Sequence, residues 1–368
     1  MSPRPPAQIG MPAGDIETPA LVVDLDLFDA NLATLRDAVR GSGLRLRPHG
    51  KAHKCPDIAR HQMAAGAIGL CCQKVSEAEV FVAAGIPDIL VTNEIVDPRK
   101  LARLVALAER ARIGVCVDGM AHVEGLKAAV AGKGVTVDVL VEIDVGQGRC
   151  GMPPGPEMTR LAAVIADTPG LVFAGLQAYH GGAQHLRQPE ERRAAIADAA
   201  AAVRRATALL DQAGLACRTV TGAGTGSFGL EMASGAYTEL QCGSYALMDA
   251  DYARNRFEGP VFAHALLVHA TVISTAVAGQ AVLDAGYKAL AVDSGRPVPF
   301  EIDTDIIGMS DEHTLLRQPK DRALVPGDRV RLIPGHVDPT VNLHDWFVGV
   351  RSGVVEALWP IAARGPGL

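Results

Sequence analysis

The sequence reads LRLRPHGKAHK at residues 44–54, which places Lys51 between two histidines just after a run with the alternation of a strand. A lysine at the carboxyl end of a barrel strand points into the barrel mouth, where the active sites of that architecture lie. Basic neighbours are expected to disfavour its ammonium form, leaving an amine free to form a Schiff base with an aldehyde. The alternative is a basic surface turn. The neighbours concerned are Arg47, His49, His53 and Lys54.

Short apolar, β-branched runs alternate with amphipathic stretches from about residue 44 to about residue 250. This alternation is typical of repeated βα units, and eight of them predict an α/β fold with a TIM (β/α)8 barrel. The predicted strands are 44–48, 68–72, 89–91, 113–117, 137–143, 173–178, 219–222 and 239–242, and the predicted helices include 57–65, 76–84, 98–111, 119–131, 157–166 and 189–213.

After about residue 260 the helical pattern stops, and strand-like runs separated by Gly, Asp or Pro turns predict a C-terminal β domain. The early run 20–25 suits that domain better than the barrel, so the chain is expected to start there. The predicted domains are a barrel, 26–258, and a β domain built from 1–25 and 259–368. The C-terminal strands are expected at 265–276, 279–284, 329–333, 346–350 and 354–359.

Composition narrows the class of protein. The chain has 368 residues, is 48% hydrophobic and carries a formal net charge of -6, which argues against a nucleic-acid surface. No run has the length of a signal-peptide core or a membrane span, so we expect a cytoplasmic protein that acts on a small molecule, not at a membrane. Seven cysteines without zinc-ribbon spacing, mostly in apolar settings, are expected to be buried free thiols.

A glycine-rich turn, GAGTGS at residues 222–227, follows the seventh predicted strand. Its backbone N–H groups and hydroxyls suit a phosphate, and the loops after the last two strands are the usual phosphate cradle of this barrel. A lysine able to form an imine and a phosphate cradle on the same rim indicate pyridoxal phosphate (PLP). Arg149 could face the phenolate oxygen of that cofactor, or it could form a structural salt bridge. The cradle residues are Gly224, Thr225 and Gly226, with Gly243 and Ser244 after the eighth strand.

The β domain carries an H-x-D pair, His336 and Asp338, in the run PGHVDPT. On an extended segment both side chains lie on the same side and could bind one divalent ion. An imidazole and a hard carboxylate favour Mn²⁺, Mg²⁺ or Co²⁺ over structural zinc. The alternative is a structural pair, since this spacing is common by chance.

Six blocks of this sequence together resemble bacterial D-threonine aldolases and the related 3-hydroxy-D-aspartate aldolases. These are PLP enzymes of fold type III, similar to alanine racemase in the barrel and to D-serine dehydratase in the β domain. The resemblance runs from about residue 18 to about residue 365. The blocks are RPHGKAHK (47–54), CQKVSEA (72–78), VGQGRCG (145–151), LQAYHG (176–181), YTELQ (237–241) and HVDPT (336–340).

The resemblance implies a Schiff base on Lys51 and a metal, preferably Mn²⁺, on His336 and Asp338. It implies cleavage of a D-3-hydroxy amino acid (D-threonine, D-phenylserine or 3-hydroxy-D-aspartate) to glycine and an aldehyde, in a homodimer. The dehydratase branch has a cysteine in place of Asp338. By the same resemblance His185 is the base, and the residues that contact the cofactor include His49, Tyr179 and Gln241, the last facing the pyridine nitrogen.

Three alternatives stay open at this point. One is a dehydratase that releases ammonia and a 2-oxo acid from D-serine or D-3-hydroxyaspartate. Another is a PLP carrier without turnover, against which the β domain and its metal pair argue. The third is a metal-dependent barrel hydrolase that uses His49 and His53. On a strand these two would lie about 13 Å apart, too far for one ion.

Overall fold

A computed structural model describes residues 4–368; residues 1–3, the start of the segment assigned to the β domain, lie outside it. The strands are β1 (Ala20–Asp24), β2 (Arg45–Leu46), β3 (Leu70–Cys72), β4 (Asp88–Val91), β5 (Arg112–Val117), β6 (Val137–Glu142), β7 (Leu171–Ala178), β8 (Thr219–Gly222), β9 (Glu239–Leu240), β10 (Leu266–Ser274), β11 (Gln280–Leu283), β12 (Val298–Pro299), β13 (Ile306–Met309), β14 (Thr314–Arg317), β15 (Arg329–Ile333), β16 (Trp346–Arg351) and β17 (Val354–Pro360). The helices are α1 (Leu25–Val39), α2 (Pro56–Ala64), α3 (Val75–Ala83), α4 (Pro98–Leu107), α5 (Met120–Val130), α6 (Pro156–Asp167), α7 (Pro189–Gln212), α8 (Phe228–Ser234), α9 (Ala250–Ala253) and α10 (Val337–Val341).

The strands β2 to β9 form one parallel sheet in the order β2-β9-β8-β7-β6-β5-β4-β3. Backbone hydrogen bonds from Ile68 N to Leu46 O (2.9 Å) and from Cys71 N to Pro48 O (2.8 Å) join its two end strands. The sheet therefore curls into a barrel with helices around it, which confirms the predicted fold class. Several of these helices begin with proline, whose missing N–H costs nothing at a first helical position.

The barrel interior is filled with side chains. One cluster of these side chains consists of Cys71, Leu90, Cys116, Leu140 and Ala174, all buried. The barrel is therefore a packed core, and the active sites of barrels of this type lie at the carboxyl-end rim.

The β domain is built on β1, which lies in the middle of its sheet. Leu21 pairs with Val268 of the antiparallel β10 on one side and with Phe347 of the parallel β16 on the other. The β domain thus joins a strand from the N-terminal part of the chain with strands from its C-terminal part in one sheet.

Two general features concern the environment of the chain. Within residues 4–368, no helix combines the length and the apolar character that crossing a bilayer requires.

The seven cysteines carry free thiols. Five of them are buried, and Cys150 and Cys217 are partly buried.

Candidate active site

A cavity of about 150 Å³ opens at the carboxyl-end rim of the barrel, under the β domain. The structure brings nearly all the site residues expected from the sequence to its wall. They are Lys51, His49, Arg149, Tyr179, His185, Gly224, Thr225, Gln241, Gly243, Ser244, His336 and Asp338. Gly226 is not among the lining residues, and its N–H donates to Gln184 Oε1 at 2.9 Å.

Lys51 lies in a 3-10 turn, Gly50–Ala52, that follows the first barrel strand, β2, after residues 47–49. Its Nζ is 3.2 Å from Oδ2 of Asp338. The negative charge of this carboxylate raises the pKa of Lys51. The expectation that its neighbours leave Lys51 as a free amine is therefore wrong for the protein alone.

The two histidines around Lys51 carry no charge that could act on it. Burial lowers the pKa of His49 to about 3 and that of His53 to about 4. His49 Nε2 is 3.0 Å from Thr92 Oγ1, and His53 Nε2 is 3.2 Å from Gln62 Oε1. The segment between His49 and His53 is a 3-10 turn, so the distance of about 13 Å expected on a strand, which argued against a metal shared by the two histidines, does not apply. The Nε2 atoms of the two histidines still have different hydrogen-bond partners, Thr92 and Gln62.

The two charged neighbours of the active-site lysine are each paired with carboxylates. Arg47 lies at 2.9 Å from Glu239 and at 2.6 Å from Asp88. Lys54 lies at 3.4 Å from Glu77. Their positive charges are compensated locally, which explains why proximity in sequence misled the prediction.

The H-x-D pair does not lie on an extended segment, and that expectation is wrong. His336 is the extended N-cap residue, and α10 begins immediately after it. The carboxylate of Asp249 accepts a hydrogen bond from Val337 N at 2.9 Å and thereby fixes the start of this helix. His336 and Asp338 nevertheless line the same cavity.

The donor atoms of this pair suit a divalent ion. Oδ1 of Asp338 is buried and has no hydrogen-bond partner among residues 4–368. Nδ1 of His336 lies 2.7 Å from Oδ2 of Asp293, which leaves Nε2 as the nitrogen able to bind a metal. A carboxylate that holds the second nitrogen of a histidine is the usual outer partner of a metal ligand.

The glycine-rich turn has the features of an anion cradle. Oγ1 of Thr225 is buried without a partner in the described chain. A Cβ added at Gly224 would lie 2.5 Å from Gln184 Oε1, and one added at Gly243 would lie 3.0 Å from His49 O. Only glycine keeps these walls close, so the residues present fit the phosphate of PLP.

Gln241 is held rigidly in the wall of the cavity. Its side-chain nitrogen donates to Gln177 Oε1 at 2.8 Å and to Thr221 Oγ1 at 2.9 Å, and its Oε1 accepts from Gln177 Nε2 at 3.1 Å. A neutral amide therefore occupies this position.

His185 is fixed by Asp251, a residue that no sequence pattern had marked. Its Nδ1 is 2.7 Å from Oδ2 of Asp251 in the short helix α9. Tyr252, the next residue, lines the cavity. A four-residue helix with no apolar periodicity gives no signal that would have marked Asp251 in advance.

A second group of residues with side chains that can bind a metal follows the strands β4, β5 and β6. One potential ligand atom each from Glu94, Asp118 and Cys150 lies within 4.8 Å of the others. Burial, together with the charge of Glu94, raises the pKa of Glu142 to about 8. The same two causes raise the pKa of Cys150 to about 11, so this thiol is protonated at neutral pH.

Comparison with known proteins agrees with this geometry. Residues 23–251 match the family described as alanine racemase, N-terminal domain, and residues 265–350 match a serine dehydratase domain family. The chain is 50% identical to a D-threonine aldolase of Arthrobacter sp. over 364 residues, covering 98% of this chain and 96% of the relative. The chain belongs to the D-threonine aldolase family.

Other family members show the same similarity. A 3-hydroxy-D-aspartate aldolase of Paracoccus denitrificans is 45% identical over 371 residues, covering 98% of this chain and 96% of the relative. The crystal structure of the D-threonine aldolase of Filomicrobium marinum superposes with a TM-score of 0.95 at 50% identity over 99% of both chains. A D-threo-3-hydroxyaspartate dehydratase of Delftia sp. is less similar, at 30% identity over 88% of this chain and 92% of the relative. The close relatives of this chain are thus carbon–carbon lyases.

Proposed function

We propose that this protein cleaves D-3-hydroxy amino acids to glycine and an aldehyde, using PLP and a divalent metal. One observation carries the proposal. Lys51, the glycine-rich cradle and the pair His336 and Asp338 line a single cavity in a chain that is 50% identical to a D-threonine aldolase. D-Threonine, D-phenylserine and 3-hydroxy-D-aspartate are the candidate substrates.

The residues of the cavity divide into those that hold the cofactor and those that handle the substrate. Lys51 would bind the PLP aldehyde through its amine, and the cradle would hold the phosphate. Bound PLP supplies an electron sink for the bond that breaks at Cα. Arg149 and Tyr179 line the wall beside Lys51, while Gln241 forms a neutral part of it.

His336 and Asp338 would hold the metal, for which Mn²⁺, Mg²⁺ or Co²⁺ fits the donor set of one imidazole and one carboxylate. Such an ion supplies Lewis-acid polarisation of a substrate oxygen. Asp338 also lies next to Lys51, so the same carboxylate influences the lysine and the metal position.

His185 is the proposed base. With Nδ1 directed to Asp251, its Nε2 is the nitrogen that can accept the proton of the β-hydroxyl group. The electron pair left on that oxygen forms the aldehyde C=O bond as the Cα–Cβ bond breaks, and Cα takes up a proton to give glycine.

We also propose a homodimer in the cytoplasm. The free thiols favour a reducing compartment. Mass measurement by light scattering on the purified protein tests the oligomeric state.

A side-by-side product assay with D-threonine, D-threo-phenylserine, D-3-hydroxyaspartate and D-serine tests the function. The proposal expects glycine and acetaldehyde from D-threonine and no reaction with L-threonine. Ammonia and 2-oxobutanoate as the main products would establish the dehydratase alternative. Cofactor binding without turnover of any of the four would establish the carrier alternative.

A further inference from the structure

We propose that Asp251 is a positioning residue that sets the tautomer and orientation of His185, so that Nε2 faces the substrate hydroxyl as a proton acceptor. The inference rests on the proposed function and adds a residue to it. Oδ2 of Asp251 is 2.7 Å from Nδ1 of His185, and Asp251 is only 3% exposed. A neutral imidazole donates from one nitrogen and accepts at the other. A carboxylate only accepts, so Nδ1 carries the hydrogen and Nε2 the free lone pair.

The charge of Asp251 is maintained by arginines. Oδ1 of Asp251 lies 2.5 Å from Arg187 and 3.3 Å from Arg254. Burial acts to raise the pKa of Asp251, but hydrogen bonds from Arg187 and His185 outweigh it, and the pKa is lowered. The group facing His185 is therefore an ionised carboxylate, able to stabilise the imidazolium that forms when Nε2 takes a proton.

The turn that carries His185 is fastened on both sides. Gln184, the residue before His185 in this turn, is fully buried. Its Oε1 accepts a hydrogen bond from Gly226 N at 2.9 Å, and its Nε2 donates to Ser227 Oγ at 2.7 Å, so it is bonded to the glycine-rich turn. On the far side, Asn255 donates to Gln184 O at 2.8 Å. The base and the phosphate cradle are thus attached to adjacent residues of one 3-10 turn, Gly182–His185.

Arg187 closes the connection between these two sides. It donates to Asn255 Oδ1 at 2.7 Å and to the backbone oxygen of Asp251 at 2.8 Å. The position of Asp251 relative to the cradle is therefore fixed by a continuous set of hydrogen bonds. When the side chain of Asp251 is changed, Arg187 keeps its hydrogen bonds to Asn255 Oδ1 and to the backbone oxygen of residue 251, so the cradle stays held and the change acts on His185.

Asp251→Asn is the direct test. An asparagine that turns its oxygen to Arg187 presents its NH₂ group to Nδ1, which moves the imidazole hydrogen to Nε2 and abolishes proton acceptance there. We expect kcat for D-threonine to fall by about 10²-fold, the lower range for loss of a general base, while KM changes less than about threefold. Asp305→Asn removes the carboxylate of an exposed pair with Arg317 in the β domain and is the matched control, with activity unchanged.

A double-mutant cycle separates positioning from a structural effect. If Asp251 acts through His185, then Asp251→Asn adds no further loss in a His185→Ala background. A structural role would give additive losses and would overturn the proposal. A low-field proton resonance of the His185 Nδ1–H group provides a readout independent of turnover. It should be present in the wild-type protein and absent from both single variants.

The outcomes distinguish this inference from the function on which it rests. Wild-type protein that forms no glycine from D-threonine refutes the proposed function. Wild-type protein that cleaves D-threonine while Asp251→Asn keeps full kcat refutes the role of Asp251 alone. Should Asp251→Asn fail to fold by circular dichroism, Asp251→Ser is the second variant. It removes the carboxylate that holds the Nδ1 hydrogen and stabilises the imidazolium, so kcat should again fall, and full kcat in this variant would likewise refute the role of Asp251.

Discussion

Substitution of Gly224 by alanine tests the phosphate cradle quantitatively. The new Cβ would lie 2.5 Å from Oε1 and 2.6 Å from Cδ of Gln184. Ordinary contact begins at 3.4 Å, so this amide or the loop must move by about 0.9 Å. Gln184 is fully buried and cannot swing into solvent.

The size of the effect follows from the hydrogen bonds of Gln184. Its side chain bonds to Gly226 N at 2.9 Å, to Ser227 Oγ at 2.7 Å and to His180 O at 3.2 Å. Each such bond contributes about 0.5–1.5 kcal/mol, so disturbing two costs about 1–3 kcal/mol. Because cofactor binding requires the cradle in its present form, this cost appears as affinity for PLP that is about 5- to 150-fold weaker.

Absorbance titration of the apoprotein with PLP measures this affinity. Gly229→Ala is the matched control, since Gly229 is the second residue of α8, which follows the cradle, and its Cβ would meet nothing within 4 Å. Alanine is preferred over glycine in a helix by about 1 kcal/mol, so this control should bind PLP normally and melt slightly higher. Wild-type affinity in Gly224→Ala, or an equal loss in Gly229→Ala, would refute the reasoning about the cradle.

Three further outcomes are expected. Lys51→Ala should lose the visible absorption band of bound PLP, and a band in this variant that still bleaches with borohydride would place the cofactor on another lysine. Chelation should abolish aldol cleavage while the cofactor stays bound, and Mn²⁺ should restore the activity. In metal analysis, Asp338→Asn should lose the ion and Cys150→Ser should keep it. The reverse pattern would locate the ion at Glu94, Asp118 and Cys150. Burial raises the pKa of Glu231 from 4.5 to about 7, so its contribution to stability is present below pH 4.5 and lost as the pH rises through 7. Glu231→Gln should therefore raise the melting temperature at about pH 8 more than at about pH 5, and equal shifts at both would contradict the assignment.

The barrel could be predicted because its strands carry a strong local signal. The run 219–222 was predicted with the bounds that β8 has, and the other seven barrel strands coincide within a few residues. Buried parallel strands are short and β-branched, and the prolines at helix starts add a second local signal. Strands β12, β13 and β14 were missed, since they are two to four residues long and partly exposed.

The electrostatics of the site could not be predicted from local sequence. The charge that dominates Lys51 comes from Asp338, which is remote in the chain and is brought near by the β domain. The start of α10 depends on Asp249, likewise distant in sequence. A spacing of two residues fits both an extended segment and the first turn of a helix, so the pattern alone could not decide between them.

The central place of β1 in the β domain has a consequence for how the chain is made. Translation proceeds from the N-terminus, and domains generally fold as they emerge from the ribosome. The barrel, with Lys51 and the phosphate cradle, is complete in the nascent chain long before Phe347, the pairing partner of Leu21, has been synthesised. The first strand therefore waits with both edges unpaired until β10 is made, and its edge toward β16 stays unpaired until residue 347 is reached. Unpaired edges invite aggregation. A nascent chain arrested near residue 258 is the stage at which a chaperone would have most to protect.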